Sequence, residues 1–444
     1  MNAAAAQADA TAIIDRRMSA YQVFVFLLCA SVVFLDGVDT QVAGIAAPLA
    51  GRELGIAKAA FGWVFAACTL GATLGALACG VIADHVGRRR TLITATILFG
   101  LATLVTAQAH SFGQLAAWRF VTGLGLGGAV PCLVALTSEY APSRHRARIV
   151  SLLWAGFPLG AALGALINSY IVASLGWRPL FIVWGTAPLV VALVHIWLLP
   201  ESVSFLAARG RSTAQIERLL RRIDPVVGRV RVDAPTGPAA PRPGLGALFQ
   251  GPLRLVTIAL ALTALILFGL LTVAASWMPS LLTPFGFSPA AGALIVSING
   301  FGSFLGTTGA GFLLEKVGVV RTTLPALAGA VLSFVLLGVA TSSFGTVALA
   351  SVLLGICLGV GSSSVIALAA LTYPTAIRST GVGWTMGAGR FGSVISPIIV
   401  GRMIGADLSM LMITAVLAML AAAAIPCIVA VRNSRARHGE PLAA

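Results

Sequence analysis

Twelve long apolar segments dominate this sequence, and they restrict the chain to repeated crossings of a lipid bilayer. A helix of about 20 apolar residues spans the hydrocarbon core of a bilayer, which is roughly 30 Å thick. The predicted fold class is therefore an all-α integral membrane protein with twelve transmembrane helices. The predicted spans cover approximately residues 21–48, 59–83, 91–109, 113–138, 149–174, 178–199, 255–282, 289–314, 322–341, 345–372, 380–404 and 408–431.

The charged residues support this topology. Only 10% of the chain is charged and 58% is hydrophobic, whereas soluble proteins carry about 25% charged residues. Cytoplasmic loops are enriched in Lys and Arg, and here most basic residues fall in loops on one side, together with both termini. The net charge of +15 thus reflects topology and does not indicate a nucleic-acid partner. The exceptions are Arg52, Lys58, Arg178 and Arg402, which fall outside, and Arg119 and Arg390, which fall within spans.

A long polar region divides the chain into two halves. The prediction is a cytoplasmic tail at 1–20, a six-helix half at 21–199, a cytoplasmic loop at 200–252, a second six-helix half at 253–431 and a cytoplasmic tail at 432–444. The first part of the loop is expected to form a short amphipathic helix, and its Pro-rich remainder a linker. The N-terminal tail leads into a full-length span, so we expect no cleaved signal peptide.

The two halves share an internal repeat. A loop motif runs from Gly80 to Thr91 between the second and third spans, and again from Gly311 to Thr322 between the eighth and ninth. Glycine, an acid, Val-Gly, Arg and Thr recur in register. Two parallel six-helix repeats with a substrate site between them, near the bilayer midplane, form one architecture of secondary transporters.

Two carboxylates, Asp36 and Asp39, lie inside the first predicted span. An Asp at the centre of a membrane helix costs about 2.5–3.5 kcal/mol on the insertion scale. Three residues apart, the two side chains share a helix face, and such residues usually face an ion or substrate pathway. Burial and mutual repulsion both disfavour the charged forms, so the pair is expected to carry protons as one coupled unit. The alternative is a salt bridge or hydrogen bond that only holds the bundle together.

Arg119 and Arg390 are candidates for substrate binding, because a guanidinium matches a carboxylate with two parallel hydrogen bonds. Alternatively, each is neutralised by backbone carbonyls or a fixed acid, and for Arg119 a charge-pairing or proton-relay role is equally consistent with its position. Trp384 and Phe391 are candidates for stacking on an aromatic ring, although aromatic residues in spans mostly serve packing.

A charged cluster at the cytoplasmic helix ends predicts a gate. Acid–base pairs between helix ends can latch one side of a transporter and open as the halves rock. The alternative is charge that only sets topology. The candidate gating residues are Gly80, Asp84, Gly87, Arg88, Arg90, Glu139, Arg144, Arg146 and Glu315.

Other function classes find little support in the sequence. The G-x-G-x-x-G pattern from Gly123 to Gly128 lies within a span, so it indicates close helix packing and not a dinucleotide site. The six Cys residues lie in apolar runs without metal-ligand spacing, and we expect no metal and no cofactor. H-E-x-x-H and G-x-S-x-G motifs are absent, which argues against an enzyme. We also expect no soluble output domain of the kind that a sensor would need.

The chain resembles the major facilitator superfamily in its loop motif around Asp84, in Arg119-Phe-Val-Thr-Gly-Leu-Gly and in Pro200-Glu-Ser. Further segments are similar to the aromatic acid:proton symporter family. These are Asp36-Gly-Val-Asp39, Gly123-Leu-Gly-Leu-Gly-Gly-Ala-Val-Pro131, Thr137-Ser-Glu139, Arg378-Ser-Thr-Gly-Val-Gly and Gly389-Arg-Phe-Gly392. Cys132 departs from that pattern, which has Asn after the helix-four proline.

The resemblance implies a monomeric, proton-coupled importer of an aromatic carboxylate in the bacterial inner membrane. Its substrate would be of the 3-hydroxyphenylpropionate, hydroxybenzoate or benzoate type, and its partners are that acid, protons and the bilayer. Coupled protons are needed because an inside-negative potential opposes entry of an anion by about 2.3 kcal/mol per 100 mV. The alternative is a proton-coupled exporter of drugs or organic anions, which Gly156-Phe-Pro-Leu-Gly160 loosely suggests.

Overall fold

The structure is a computed structural model, and it describes residues 13–15, 18–208, 213–224, 245–251, 253–339, 343–374 and 377–437. Within these ranges the chain forms twelve long helices and no strand. The helices are α1 (Ala20–Leu54), α2 (Phe61–Val86), α3 (Arg88–Thr106), α4 (Phe112–Tyr140), α5 (Arg146–Ser174), α6 (Arg178–Leu198), α7 (Leu253–Leu282), α8 (Pro289–Val317), α9 (Val319–Val339), α10 (Phe344–Thr372), α11 (Arg378–Gly405) and α12 (Met410–Arg437).

The predicted twelve-helix membrane fold is confirmed. Across the described ranges, eleven of the helices are long and apolar enough to cross a membrane. The other long helix, α11, carries Arg390 and Arg402 among several glycines and serines. It packs against α7 of its own half and against α2 of the other, so it belongs to the same bundle.

Helix α1 is longer than predicted. The expected end at Pro48 is wrong, because this proline lies inside α1 and the helix continues to Leu54. Membrane helices tolerate proline because neighbouring groups satisfy the backbone that it frees. The helix stops where Gly55 adopts a left-handed conformation with a φ of 64° and donates its N–H to the carbonyl of Gly51.

The internal repeat is also visible in the helix packing. In the first half α1 packs on α5, α2 on α4, α3 on α4 and α3 on α6. In the second half the equivalent contacts are α7 on α11, α8 on α10, α9 on α10 and α9 on α12. The two halves are therefore versions of one six-helix arrangement.

In its described parts, the segment between the halves forms two short α-helices, Val203–Ala208 and Thr213–Ile223, and a 3₁₀ helix, Leu245–Phe249. The second is the amphipathic helix that the sequence predicts. It buries Ile216, Leu220 and Ile223 in a cluster with α1 and other helices of the first half. The prolines of the predicted Pro-rich linker (Pro235, Pro238, Pro241 and Pro243) lie outside the described residues.

The two halves meet at the end of the bundle where α1 finishes, which we call the distal end. The end where α1 begins is the proximal end. Several helix contacts cross between the halves at the distal end, and we use four of those seen among the described residues to define the distal seam. They are Gly44 on Ser276, Gly62 on the Pro397 carbonyl, the Ser297 hydroxyl donating to the Ala162 carbonyl at 2.8 Å, and Phe65 edge-on to Trp277 at 5.2 Å between ring centroids.

The two repeated acids lie exposed at the proximal end. The carboxylate of Asp84, at the end of α2, is 69% exposed. Glu315, its counterpart at the end of α8, is exposed as well. The structure is therefore closed at the distal seam, while these two repeated acids face solvent at the other end.

Candidate functional site

A buried ion pair joins α1 to α4. The guanidinium of Arg119 donates from Nη1 to Oδ1 of Asp39 at 2.9 Å and from Nη2 to Oδ2 at 2.5 Å. The Asp39 side chain is 0% exposed and the Arg119 side chain 2%. A buried charge is tolerated when it is paired and hydrogen-bonded, and this two-point geometry satisfies both conditions. Asp39 and Arg119 therefore form one electrostatic unit in the interior of the first half.

Neutral side chains from α2, α3 and α6 surround this pair. The hydroxyl of Thr103 lies 3.5 Å from Oδ1 of Asp39, and Nη2 of Arg119 donates to Sγ of Cys68 at 3.3 Å. The guanidinium also lies over the ring of Phe181, 5.9 Å from its centroid. Among the described residues, Nε of Arg119 has no hydrogen-bond partner. The Nε–H donor of the guanidinium thus remains unused while the pair is closed.

Asp36 has a different environment from Asp39. It is only partly buried, and in the described part of the chain its carboxylate makes no hydrogen bond. Arg390, on α11 of the other half, is close enough for its charge to act on the Asp36 carboxylate. Asp39 is thus paired with Arg119, whereas Asp36 is unpaired among the described residues and lies within range of the charge of Arg390.

Arg390 is held on a well-packed helix. A Cβ at Gly392 would overlap the carbonyl oxygen of Leu265, so α11 approaches α7 very closely here. The hydroxyl of Ser393 donates to the carbonyl of Phe268 at 3.2 Å. Within the described ranges Arg390 itself makes no hydrogen bond or ion pair, and it is partly exposed. A fixed helix thus presents a guanidinium whose donors are available.

The structure does not bring the two candidate stacking residues together. Trp384 packs edge-on against Phe249 of the central segment, with ring centroids 5.4 Å apart, and is 39% exposed. Phe391 is 63% exposed on α11. A stacking role stays a prediction for both residues.

The candidate gating residues fall into separate groups. Nη2 of Arg88 donates to Oδ1 of Asp84 at 3.0 Å, across one helical turn and the α2–α3 junction. Gly87 makes that junction possible with a φ of 108°. Gly80 has open space where a side chain would be, and Arg90 is exposed. These residues line one proximal corner of the first half, and Glu315 lies in the second half.

Glu139 belongs to a second proximal group. This group includes Glu201 of the Pro200-Glu-Ser motif, which was not among the predicted gating residues. The hydroxyl of Ser202 donates to Oε2 of Glu139 at 2.6 Å. Oε1 of Glu201 accepts from the backbone N–H of Arg89 at 3.0 Å, and so caps α3. The hydroxyl of Tyr140 donates to the carbonyl of Glu201 at 2.9 Å. Glu201 thus ties the exit of α6 to α3 and α4.

Arg144 and Arg146 lie near another acid, Asp15, close to the start of the chain. The backbone N–H of Ser143 donates to Oδ1 of Asp15 at 2.5 Å, and its hydroxyl donates to Oδ2 at 2.8 Å. These hydrogen bonds, with smaller contributions from the two arginine charges, lower the pKa of Asp15 below its ordinary value of 3.8. The N-terminal segment is thereby attached to the loop between α4 and α5.

The glycines of α4 serve helix packing. A Cβ at Gly123 would overlap the carbonyl of Cys68, and one at Gly127 would overlap that of Ala72. The close approach of α4 to α2 brings Cys68 within reach of Arg119, one turn before Gly123. The prediction of close packing at this pattern is confirmed. Among the described residues, no group of three or more His, Cys, Asp or Glu side chains is arranged to hold a metal ion.

Comparison with known proteins identifies a family. The family model described as Major Facilitator Superfamily matches residues 29–288 and 260–443. The 4-hydroxybenzoate transporter PcaK of Acinetobacter baylyi is 35% identical over 425 residues, which cover 94% of this chain and 92% of that protein. The 3-(3-hydroxy-phenyl)propionate transporter of Escherichia coli is 36% identical over 381 residues, which cover 85% of this chain and 86% of that protein.

A solved structure shares the fold. The crystal structure of a D-xylose-proton symporter matches with a TM-score of 0.73 and covers 91% of this chain and 97% of its own. Sequence identity between the two is 16%. At that identity the likeness concerns the arrangement of the helices.

Proposed function

The chain belongs to the major facilitator superfamily, and we propose that it imports a small aromatic carboxylate together with protons across the inner membrane of a bacterium. The substrate class follows the names of the similar transporters, which carry 4-hydroxybenzoate and 3-(3-hydroxyphenyl)propionate. The observation that carries the proposal is the different pairing of two arginines, Arg119 and Arg390. Arg119 is held at two points by Asp39, whereas Arg390 makes no hydrogen bond or ion pair within the described residues and has donors available for an anion.

Charge balance explains why protons are needed. A carboxylic acid with a pKa near 4 is an anion at neutral pH. An inside-negative potential opposes its entry by about 2.3 kcal/mol per 100 mV. Two protons carried with one anion make the moving charge positive, and the potential then drives uptake. Asp36 and Asp39 are the proposed proton carriers.

The buried pair supplies a physical link between protonation and movement. While Asp39 is charged, it holds Arg119 at two points, and α1 is fixed to α4. A proton on Asp39 removes its charge and one acceptor site, which weakens the pair and leaves a buried guanidinium without its counter-ion. An approaching anion then stabilises the charge of Arg119. Protonation of Asp39 and binding of the substrate therefore favour each other.

Arg390 is the proposed anchor for the substrate carboxylate. Its helix is fixed by close packing on α7, so the guanidinium can bind an anion with little loss of conformational freedom. Asp36 acts on the same guanidinium from the other half. When Asp36 is protonated, its competition for Arg390 ends, and the substrate carboxylate takes its place.

The proposed orientation puts the proximal end in the cytoplasm, because most Lys and Arg lie there. In that orientation the structure corresponds to a state closed to the outside by the distal seam. Alternating access then requires the distal seam to part while the proximal ends of the two halves approach each other. Asp84 and Glu315 are exposed here and would lie near that new contact.

Uptake by purified protein in proteoliposomes tests the substrate class. We expect 4-hydroxybenzoate, 3-(3-hydroxyphenyl)propionate or benzoate to accumulate under an inward pH gradient, and unlabelled acid of the same kind to compete. The aromatic amide of the same acid is the matched control and should not compete, because it offers Arg390 no carboxylate. Accumulation of none of these acids would refute the proposed substrate class.

A further inference from the structure

A second cationic site lies at the distal end, far along α1 from the buried pair. A cavity of about 150 Å³ opens there between α1, α2 and α7, and we call it the distal cavity. Arg52 and Lys58 of the first half line it, as do Ser280 and Thr283 of the second. Phe61 contributes an apolar wall. Among the residues that line the distal cavity, none is acidic.

Local chain geometry brings the two cations to one cavity. After α1 ends, the N–H of Ile56 donates to the carbonyl of Gly51 at 3.0 Å, and the chain reverses direction. A short 3₁₀ helix, Lys58–Ala60, follows immediately and leads into α2. Arg52 thus lies in the last turn of α1 and Lys58 at the first residue of the 3₁₀ helix, and both residues line the distal cavity.

Helix electrostatics does not account for both cations. Arg52 lies in the last turn of α1, where a positive charge complements the helix dipole. Lys58 lies in a 3₁₀ helix of only three residues, which is too short for a helix dipole to favour a cation there.

The acid nearest in sequence is engaged elsewhere. Oε1 of Glu53 pairs with Nη2 of Arg178 at 3.0 Å, and Oε2 accepts from Nε1 of Trp177 at 2.6 Å. In the described part of the chain, Arg52 and Lys58 are exposed and have no hydrogen-bond or ion-pair partner. The distal cavity therefore keeps its positive charge.

The distal cavity also lies directly on the distal seam. The ring of Phe61 is 6.2 Å from that of Phe65, which in turn packs edge-on against Trp277 of the other half. Ser280 follows one turn after Ser276, which contacts Gly44. A ligand in the distal cavity would therefore touch both halves at the place where they must separate.

We propose that the distal cavity is a first docking site for the aromatic carboxylate on the outer face, occupied before the distal seam opens. This inference rests on the proposed function and orientation. The carboxylate lies between Arg52 and Lys58, and the ring lies against Phe61. Two exposed cations raise the local concentration of anions and speed their capture, and salt screens this effect beyond about 8 Å at physiological ionic strength. The distal cavity thus affects how fast the aromatic carboxylate is captured from outside, and it does not affect the steps after the distal seam opens.

The test replaces both cations with neutral residues, as Arg52→Gln with Lys58→Gln, in proteoliposomes of known orientation. At low ionic strength we expect a several-fold rise in the KM for uptake of 4-hydroxybenzoate and an unchanged maximal rate. Efflux from the proximal side should keep its KM. Raising the salt concentration should raise the KM of the wild type towards that of the double variant. The charge-conserving pair Arg52→Lys with Lys58→Arg should behave as the wild type does.

The matched control is Arg402→Gln, which removes a cation at the distal end of α11 that does not line the distal cavity. It should leave the KM unchanged. An unchanged KM and salt dependence in the double variant, with normal uptake by the wild type, would overturn the docking site and leave the proposed function intact. An equal rise in KM with Arg402→Gln would also overturn it, because general surface charge would then explain the effect. If the wild type takes up no aromatic carboxylate, the proposed function itself has failed.

Discussion

Asp36 and Asp39 lie three residues apart on α1, yet only Asp39 is fully buried in a two-point ion pair, with Arg119 of its own half. Asp36 is partly exposed and makes no ion pair among the described residues, and the charge that acts on it comes from Arg390, which belongs to the other half. Protonation of Asp39 would therefore change contacts inside the first half, whereas protonation of Asp36 would change the electrostatics between the two halves.

Asp39→Asn should abolish accumulation driven by a pH gradient while substrate exchange across the membrane persists. Asparagine keeps a similar shape but carries no titratable proton, so the coupling is lost and binding survives. Asp36→Asn, at the neighbouring position, shows whether both acids are required. Gradient-driven accumulation that survives in both single variants and in the double variant would show that neither residue carries the proton.

The same pair predicts a stability effect. Asp39→Ala leaves the buried guanidinium of Arg119 without a partner, and breaking a buried pair in this way costs about 3–5 kcal/mol. In detergent, the thermal unfolding temperature should be clearly lower for Asp39→Ala than for the wild type. The decrease should be smaller for Asp39→Ala combined with Arg119→Leu. Equal stability of the wild type and Asp39→Ala would contradict the ion pair.

Arg390→Lys should weaken binding of the substrate carboxylate by about tenfold, because an ammonium cannot form the two parallel hydrogen bonds of a guanidinium. Arg402→Lys on the same helix is the control and should bind normally. Binding is measured by quenching or by competition in detergent, together with thermal unfolding of each variant. A well-folded Arg390→Lys protein with wild-type affinity would remove Arg390 from the binding site.

Gly44→Ala should open the distal seam. A Cβ at this position would lie 2.9 Å from Cα of Ser276 and would overlap its carbonyl oxygen, so α1 and α7 must move apart. Gly113→Ala is the control, since a side chain at Gly113 meets open space. Spin labels on Ala57→Cys and Leu408→Cys, at the distal ends of the two halves, should move apart in Gly44→Ala alone. An unchanged distance would mean that this contact does not hold the halves together.

The attachment of the N-terminal segment should depend on pH. Hydrogen bonds from Ser143 lower the pKa of Asp15 below 3.8, so the contact is stabilising above the unfolded value and is lost as pH falls through the lowered one. At neutral pH the amide of Ser143 should exchange its hydrogen faster in Asp15→Asn than in the wild type. Equal exchange rates would contradict the contact.

The helices were largely predictable from the sequence, because length and hydropathy alone specify a membrane span. The charged residues within the spans were predictable as candidate site residues, because a charge in a membrane span is costly and usually functional. Their pairing was not, because helical periodicity does not say which helix faces Asp36 or Asp39. Thr103 and Cys68 were missed for a simpler reason. Neutral side chains in an apolar helix carry no signal until the fold places them beside an ion pair.

Coupling to protons is tested most directly by uptake into proteoliposomes with the pH gradient and the voltage imposed separately. With 4-hydroxybenzoate outside, the account predicts accumulation under an inward proton gradient, further stimulation by an inside-negative potential, and acidification of the vesicle interior when substrate enters. Uptake that is insensitive to both gradients would contradict the account.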